Sequence, residues 1–159
     1  RACGMTEARP VPAIRRGDAC GLTGAGPGAK PDLPPPNPEG FAMTIERIGL
    51  TARWCDAAIF NGIVFLAGHV PEKTEGRPLA EQTEEVLALL EETLADAGSS
   101  KERILSVQIF LTDIGRIGEM NAVWDKWVAR GHAPARATVE AKLASPGYGI
   151  EITAVAAKR

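Results

Sequence analysis

Two charged residues stand where a folded chain seldom leaves a charge without a task. Arg136 sits near the start of the alternating stretch "ARATVEAK", residues 135–142, and Glu151 lies inside the nearly all-apolar "IEITAVAA", residues 150–157. A guanidinium is a planar fork of donors that matches a carboxylate in a bidentate pair. A carboxylate buried without a partner is costly, so Glu151 should be paired, protonated or engaged in proton transfer. Thr138 shares Arg136's side of a strand at the two-residue repeat, and Asn121 borders the apolar stripe of a helix. These types suit a site that grips a small acid and moves a proton to or from water. Each also has a plain reading. An arginine on a polar strand face is ordinarily solvated, Asn121 fits a helix surface equally well, and Thr138 is a common strand residue.

Other chemistries are poorly served. There is no G-x-S-x-G, no Gly-rich phosphate loop and no Cys/His cluster at ligand spacing, so neither a metal nor an organic cofactor is expected. His69 and His132 are isolated and read as loop or surface residues. Cys55 has no histidine at a telling offset and reads as structural. Trp54 and Trp124 are, by residue type, more often core than ligand platforms.

The elements that must position these residues begin at Met43. "AAIFNGIVFLAG" holds two apolar runs split by Asn61-Gly62, a hairpin signal because both turn positions need positive φ. Strands are expected over about residues 56–60 and 63–67. Leu79, Thr83, Val86, Leu87, Leu90 and Leu94 form one helical face, with Gly98 as its stop. "ILSVQIFL" follows as a strand with Leu105, Val107, Ile109 and Leu111 on one side. Ile117, Met120, Val123, Trp124, Trp127 and Val128 mark a second amphipathic helix. In the stretch from 135 to 142, Ala135, Ala137, Val139 and Ala141 should form a buried face opposite Arg136. The order of strands and helices predicts an α+β domain with a mixed sheet and both helices on one face. Because the last strand is apolar on both sides, the uncovered sheet face should pack against another copy of the chain.

A hairpin turning about Pro146 would put Arg136 near residue 156 and Glu151 near residue 141. That leaves the two charges five residues out of register, on the order of 16 Å apart, so they should meet only across a subunit interface.

Totals narrow the rest. The 159 residues suit one domain, 45% are hydrophobic, and the formal net charge is −2. From Met43 onward, 13 Lys+Arg face 16 Asp+Glu without a basic stripe, which argues against a nucleic-acid partner and against RNA cleavage. No run is long enough to span a membrane. An odd set of cysteines (Cys3, Cys20, Cys55) points to a reduced, cytoplasmic protein. Residues 1–42 carry eight of the twelve prolines and seven of the seventeen glycines, and are expected to be disordered. The chain opens at Arg1 and Met43 heads the patterned sequence, so an upstream read-through or cloning scar stands beside a partner-binding tail as the reading of that extension. The domain proper is assigned to residues 43–159.

"NGIVFLAGHVP", "ILSVQIFLTDI", "MNAVWDKW", "HAPARATVEAKLA" and "GIEITAVAA" occur in an order and spacing that resemble the RidA (YjgF) family of enamine/imine deaminases, from about Ile48 onward. The resemblance implies a chorismate-mutase-like fold and a homotrimer with clefts between subunits. It implies that Arg136 binds the substrate carboxylate, that Glu151 activates water, and that Thr138 and Asn121 line the cleft. It places Trp54 where the family has a tyrosine, and Ala67, followed by Gly68, where it has a serine. Both changes remove a hydroxyl. The implied reaction turns 2-aminoacrylate or 2-iminobutanoate into a 2-oxo acid and ammonia. The alternative is a module of the same fold that binds a small carboxylate without turnover.

Overall fold

The computed structural model describes residues 44–159, so the expectations for residues 1–42 lie outside the described residues. The Asn61-Gly62 turn has φ of 51° and 74°, the left-handed pair that a two-residue hairpin requires. It joins β2 (Ala57–Phe60) to β3 (Ile63–Leu66), with Phe60 opposite Ile63. The 3.6-residue stripe is realised in α1 (Leu79–Asp96), where all six apolar-face residues named above are buried. The helix stops at Gly98 with φ 69°. Gly98 N–H donates to Ala95 O, and Ser99 N–H reaches back to Leu94 O, the paired bonds of a Schellman cap.

A short β1 (Glu46–Ile48) pairs with β2. Beyond β3 come β4 (Ile104–Leu111), α2 (Ile117–Trp127), β5 (Ala135–Glu140) and β6 (Ile150–Ala157). These form one six-stranded sheet in the order β1-β2-β3-β6-β4-β5. β6 is antiparallel to both β3 and β4, while β4 and β5 run parallel, as a strand–helix–strand crossover through α2 dictates. The sheet is mixed and the fold α+β, as expected. The hairpin about Pro146 does not form. β5 lies against β4 instead, with Arg136 opposite Val107, because a strand reached through a helix pairs in parallel with the strand before it.

The side chains of β6 divide cleanly. Ile150, Ile152, Ala154 and Ala156 are buried, and they join the stripes of α1 and α2 in one core. Glu151, Thr153, Val155 and Ala157 on the other face are half-buried. On β4, Ile104, Val107, Ile109 and Leu111 are buried, but Leu105 is 50% exposed. The register slips between Ile104 and Ser106, so a bulge turns Leu105 away from the core and Ile104 takes its place. The apolar side of β5 is also not covered within one chain: Ala135 and Ala137 are exposed, and Val139 is 47% exposed. Phe65, 50% exposed, adds to this apolar surface.

One buried polar side chain ties the helix layer to the start of β6. Gln82 donates through Nε2 to Arg77 O at 2.7 Å and to Gly147 O at 3.2 Å, and its Oε1 accepts from Gly149 N–H at 2.7 Å. Replacing it by leucine orphans these backbone groups, at about 1–3 kcal/mol for each that water cannot reach. Gln82→Leu is therefore expected to lower stability by roughly 2–4 kcal/mol. Urea titration should show this as a lower midpoint with an unchanged slope.

Candidate active site

The residues that could do chemistry fall into two groups. The first lies where β3 runs out of the sheet. After Leu66 the chain continues through Ala67 and Gly68 to His69, which re-pairs with Ile152 through two backbone hydrogen bonds of 2.7 and 3.0 Å. A cavity of about 380 Å³ opens here, lined by Trp54, Asp56, Ala67, Gly68, His69 and Glu72 among others. Trp54 is 59% exposed and not a core residue. A tight turn holds its backbone: Trp54 N–H donates to Thr51 Oγ1 at 3.0 Å, and the Thr51 hydroxyl donates to Trp54 O at 2.9 Å. The Glu151 carboxyl lies directly against Gly68, where a Cβ would collide with its Oε1. Glycine at position 68 thus leaves the room that the Glu151 carboxyl occupies, against a residue that lines the cavity.

His69 lies in the loop after β3, as expected, but not on the surface. It is half-buried, with Nδ1 3.0 Å from Ala67 O and Nε2 2.8 Å from Thr93 Oγ1 on α1. Burial is the chief effect on its pKa and lowers it, against opposing influences from the Ala67 carbonyl, Asp56 and Glu72. In the neutral ring Nδ1 carries the proton and donates to the Ala67 carbonyl, while Nε2 faces the Thr93 hydroxyl, whose single proton also lies toward Leu89 O at 3.1 Å. His132, by contrast, is exposed as expected. Cys55 is free and half-buried.

The second group lies at the β5 edge under α2. Arg136 and Thr138 sit opposite Val107 and Ile109, two core residues, and so point to the helix side of the sheet. The Arg136 guanidinium lies 5.1 Å from the centroid of the Trp124 ring. α2 runs back over β5. Asn121 lies one helical turn, about 4.5 Å, before Trp124, while Thr138 lies about 6.6 Å beyond Arg136. Asn121 Oδ1 and Thr138 Oγ1 are both buried without a hydrogen-bond partner among the described residues. The two orphaned atoms sit on the elements that carry the guanidinium and the ring beneath it, one on the Arg136 face of β5 and one on the helix of Trp124. Asn121 is therefore not a plain surface amide.

The two groups do not meet in one chain. Glu151 pairs with Phe110 on β4, and Arg136 pairs with Val107 on the same strand. Three residues along β4 and two strand spacings across separate them by roughly 14 Å. The odd offset also puts them on opposite faces of the sheet. The expectation that they stay apart within one protomer holds, through a different strand pairing. Sequence reasoning undervalued His69 and Trp124. The signal for Trp124 was its place one turn from Asn121 on a helix leading straight into Arg136. His69 gave only its adjacency to Gly68.

The model of the Endoribonuclease L-PSP family matches residues 44–158. A RutC family protein of Haemophilus influenzae is 46% identical over 114 residues, covering 72% of this chain and 98% of that one. The RutC family protein YoaB of Escherichia coli K12 is 45% identical over 115 residues, covering 72% and 99%. A crystal structure of a YjgF-family protein from Neisseria meningitidis superimposes with a TM-score of 0.71 at 49% identity, over 74% of this chain and 97% of that one.

The lowered pKa of His69 has a testable sign. Below about pH 6.5 the unfolded chain protonates this ring before the folded one does. Stability should therefore fall as pH drops through that value and level off below the folded-state pKa. Urea midpoints measured in steps from pH 7.5 to 5 (roughly the histidine window) should decline in the wild type. They should decline less in His69→Gln, and equal slopes would contradict the buried neutral ring.

Proposed function

The chain belongs to the Endoribonuclease L-PSP family, the YjgF/RidA proteins, and we propose that within it this protein is a hydrolytic deaminase of small reactive enamine and imine acids. The observation that carries the reading is the pair of incomplete half-sites. One offers Glu151 laid over Gly68 at a cavity, and the other offers Arg136 with two orphaned polar atoms beside it. Each lacks what the other has. A second copy docked on the open apolar face of the sheet would supply it, in the homotrimer that the resemblance implies.

In this reading Arg136 binds the substrate carboxylate edge-on and holds the C=N carbon near Glu151. The imine enters protonated on nitrogen; Glu151 takes a proton from water as the water oxygen bonds to the C=N carbon and the π pair moves to nitrogen, leaving a neutral carbinolamine. Glu151 then gives its proton to that nitrogen, the C–N bond breaks as the carbinolamine O–H passes its proton back to Glu151 and becomes the carbonyl, and ammonia leaves behind a 2-oxo acid, taking the remaining proton as ammonium. An enamine enters by first taking a proton at carbon. Asn121 and Thr138 line the carboxylate end, while Trp54, Ala67 and Gly68 line the other. The excess of acidic over basic residues from Met43 onward argues against a phosphate backbone as substrate, whatever the family's name suggests. One observation favours a second reading: Ala67 and Trp54 bring no hydroxyl to the cavity, which suits a module that binds 2-oxo acids without turnover. Calorimetric binding of 2-oxobutanoate without ammonia release from a freshly generated imine would select it.

Arg136→Ala and Glu151→Gln should each abolish release of 2-oxo acid. Co-expressed in equal amounts, they should recover activity, because about a quarter of randomly formed interfaces carry one intact Arg136 facing one intact Glu151. Unchanged activity in either single variant refutes the deaminase, and a mixture as inactive as its parents refutes the shared site.

A further inference from the structure

We propose that Trp124 is the positioning residue for Arg136, holding the guanidinium by its face so that its edge stays free for a carboxylate. The inference rests on the reading of Arg136 as the carboxylate anchor. Arg136 is exposed on an edge strand and forms no ion pair with the described residues. Left to itself, so long a side chain would sample many rotamers, and ordering it would cost a ligand affinity. A carboxylate neighbour would order it but would also occupy the donors the ligand needs. An aromatic face does neither: the attraction acts through the face of the ring, and the N–H groups of a guanidinium stacked on it point outward within their own plane.

The support under Trp124 is continuous. Trp124 is 5% exposed and packs against Trp127, with ring centroids 5.3 Å apart and planes tilted by 50°. Trp127 Nε1–H donates to Glu91 on α1 at 2.9 Å. Lys101 Nζ lies 5.7 Å from the Trp127 ring centroid and also donates to Glu91, at 3.4 Å. The order is cation, ring, ring, cation, with Glu91 fixing the far end to the first helix. Spacing i, i+3 on α2 puts both indoles on one side of the helix. Arg136 thus rests on a ring that cannot turn away without disturbing the contact between α1 and α2.

The test compares Trp124→Leu, Trp124→Phe and Arg136→Ala with the wild type. It measures the Kd of 2-oxobutanoate by calorimetry, and KM and kcat for a freshly generated imine acid. Trp124→Leu should raise Kd and KM about tenfold while kcat falls no more than about twofold, and Trp124→Phe should recover most of the loss. A damaged fold would not divide the effects this way, and matching near-ultraviolet circular dichroism confirms that each variant is intact. A folded Trp124→Leu with wild-type Kd and KM overturns the inference, as does a loss confined to kcat. Should Trp124→Leu fail to fold, Trp124→Met, which fills the space without an aromatic face, decides: a Kd and KM raised about tenfold support the inference, and wild-type values overturn it. Arg136→Ala separates the two levels. If it binds 2-oxobutanoate as the wild type does, the anchor reading itself has failed, whereas loss there with wild-type binding in the Trp124 variants fells this inference alone.

Discussion

β6 enters the sheet between β3 and β4, and the placement of every candidate residue follows from that insertion. It is antiparallel to both neighbours, paired with β4 along nearly its whole length and with β3 over Val155–Ala157, and its side chains alternate strictly between the core and the open face. The core side takes only Ile and Ala. Glu151 must therefore face the other way, and its carboxyl lies over the backbone of Gly68, where β3 leaves the ladder and returns at His69. The same insertion pushes β5 to the far edge, two strands from Glu151. A chain built this way can present an acid and a guanidinium but cannot join them, whatever rotamers they adopt.

Rigidity is distributed to match. His69 is held by its backbone to Ile152, by Nδ1 to Ala67 O and by Nε2 to Thr93, so the cavity wall beside Glu151 is tied to β6 and α1 at once. Gln82 fixes the loop that feeds β6. From α1, Glu85 reaches the loop before the helix and accepts from the backbone of Lys73 and Thr74 and from the Thr74 hydroxyl. Burial works against its charge, and these hydrogen bonds outweigh it, so its pKa lies below the usual value. The functional loops are thus braced by polar side chains reaching from the first helix, while the apolar stripe of that helix does the packing.

How much of this was legible depends on the range of the determining contact. The Asn61-Gly62 turn, the α1 stripe and the Gly98 stop are set within a few residues and could be read directly. Leu105 was misplaced because a bulge depends on the partner strand, and strict alternation in "ILSVQIFL" gives no sign of it. The pairing of β5 with β4 was missed because sequence adjacency favoured a hairpin with β6, although the helix before β5 already implied a parallel crossover. Val139 and its alanine neighbours read as a buried face, and the pattern cannot say that no layer of the same chain covers them. Trp54 looked like core by type, and only the turn around Thr51 reveals that it is held outward. In the site, Arg136, Thr138, Asn121 and Glu151 were recoverable as chemistry-bearing types in an apolar context. Their division into two groups required the strand order.

That division also fixes which way round a substrate would lie, on the proposed reading. The Gly68 cavity is lined by acidic side chains, Asp56 and Glu72, with Glu151 beside them. With no hydroxyl from Trp54 or Ala67 and both His69 nitrogens engaged, little in that half can donate to an anion. A carboxylate placed there would meet like charge and few donors. At the other half, Arg136 offers its donors beside the orphaned Asn121 and Thr138 oxygens, and no acidic side chain pairs with it. The acid end of an imine acid can only go to Arg136, which leaves the C=N end pointing at the carboxyl that must move the proton. Hydroxyls lining the cavity would share in that orientation through a second set of hydrogen bonds. In this chain it falls to the two charges alone, so the sense of binding is electrostatic and should weaken with salt more steeply than shape-driven binding would.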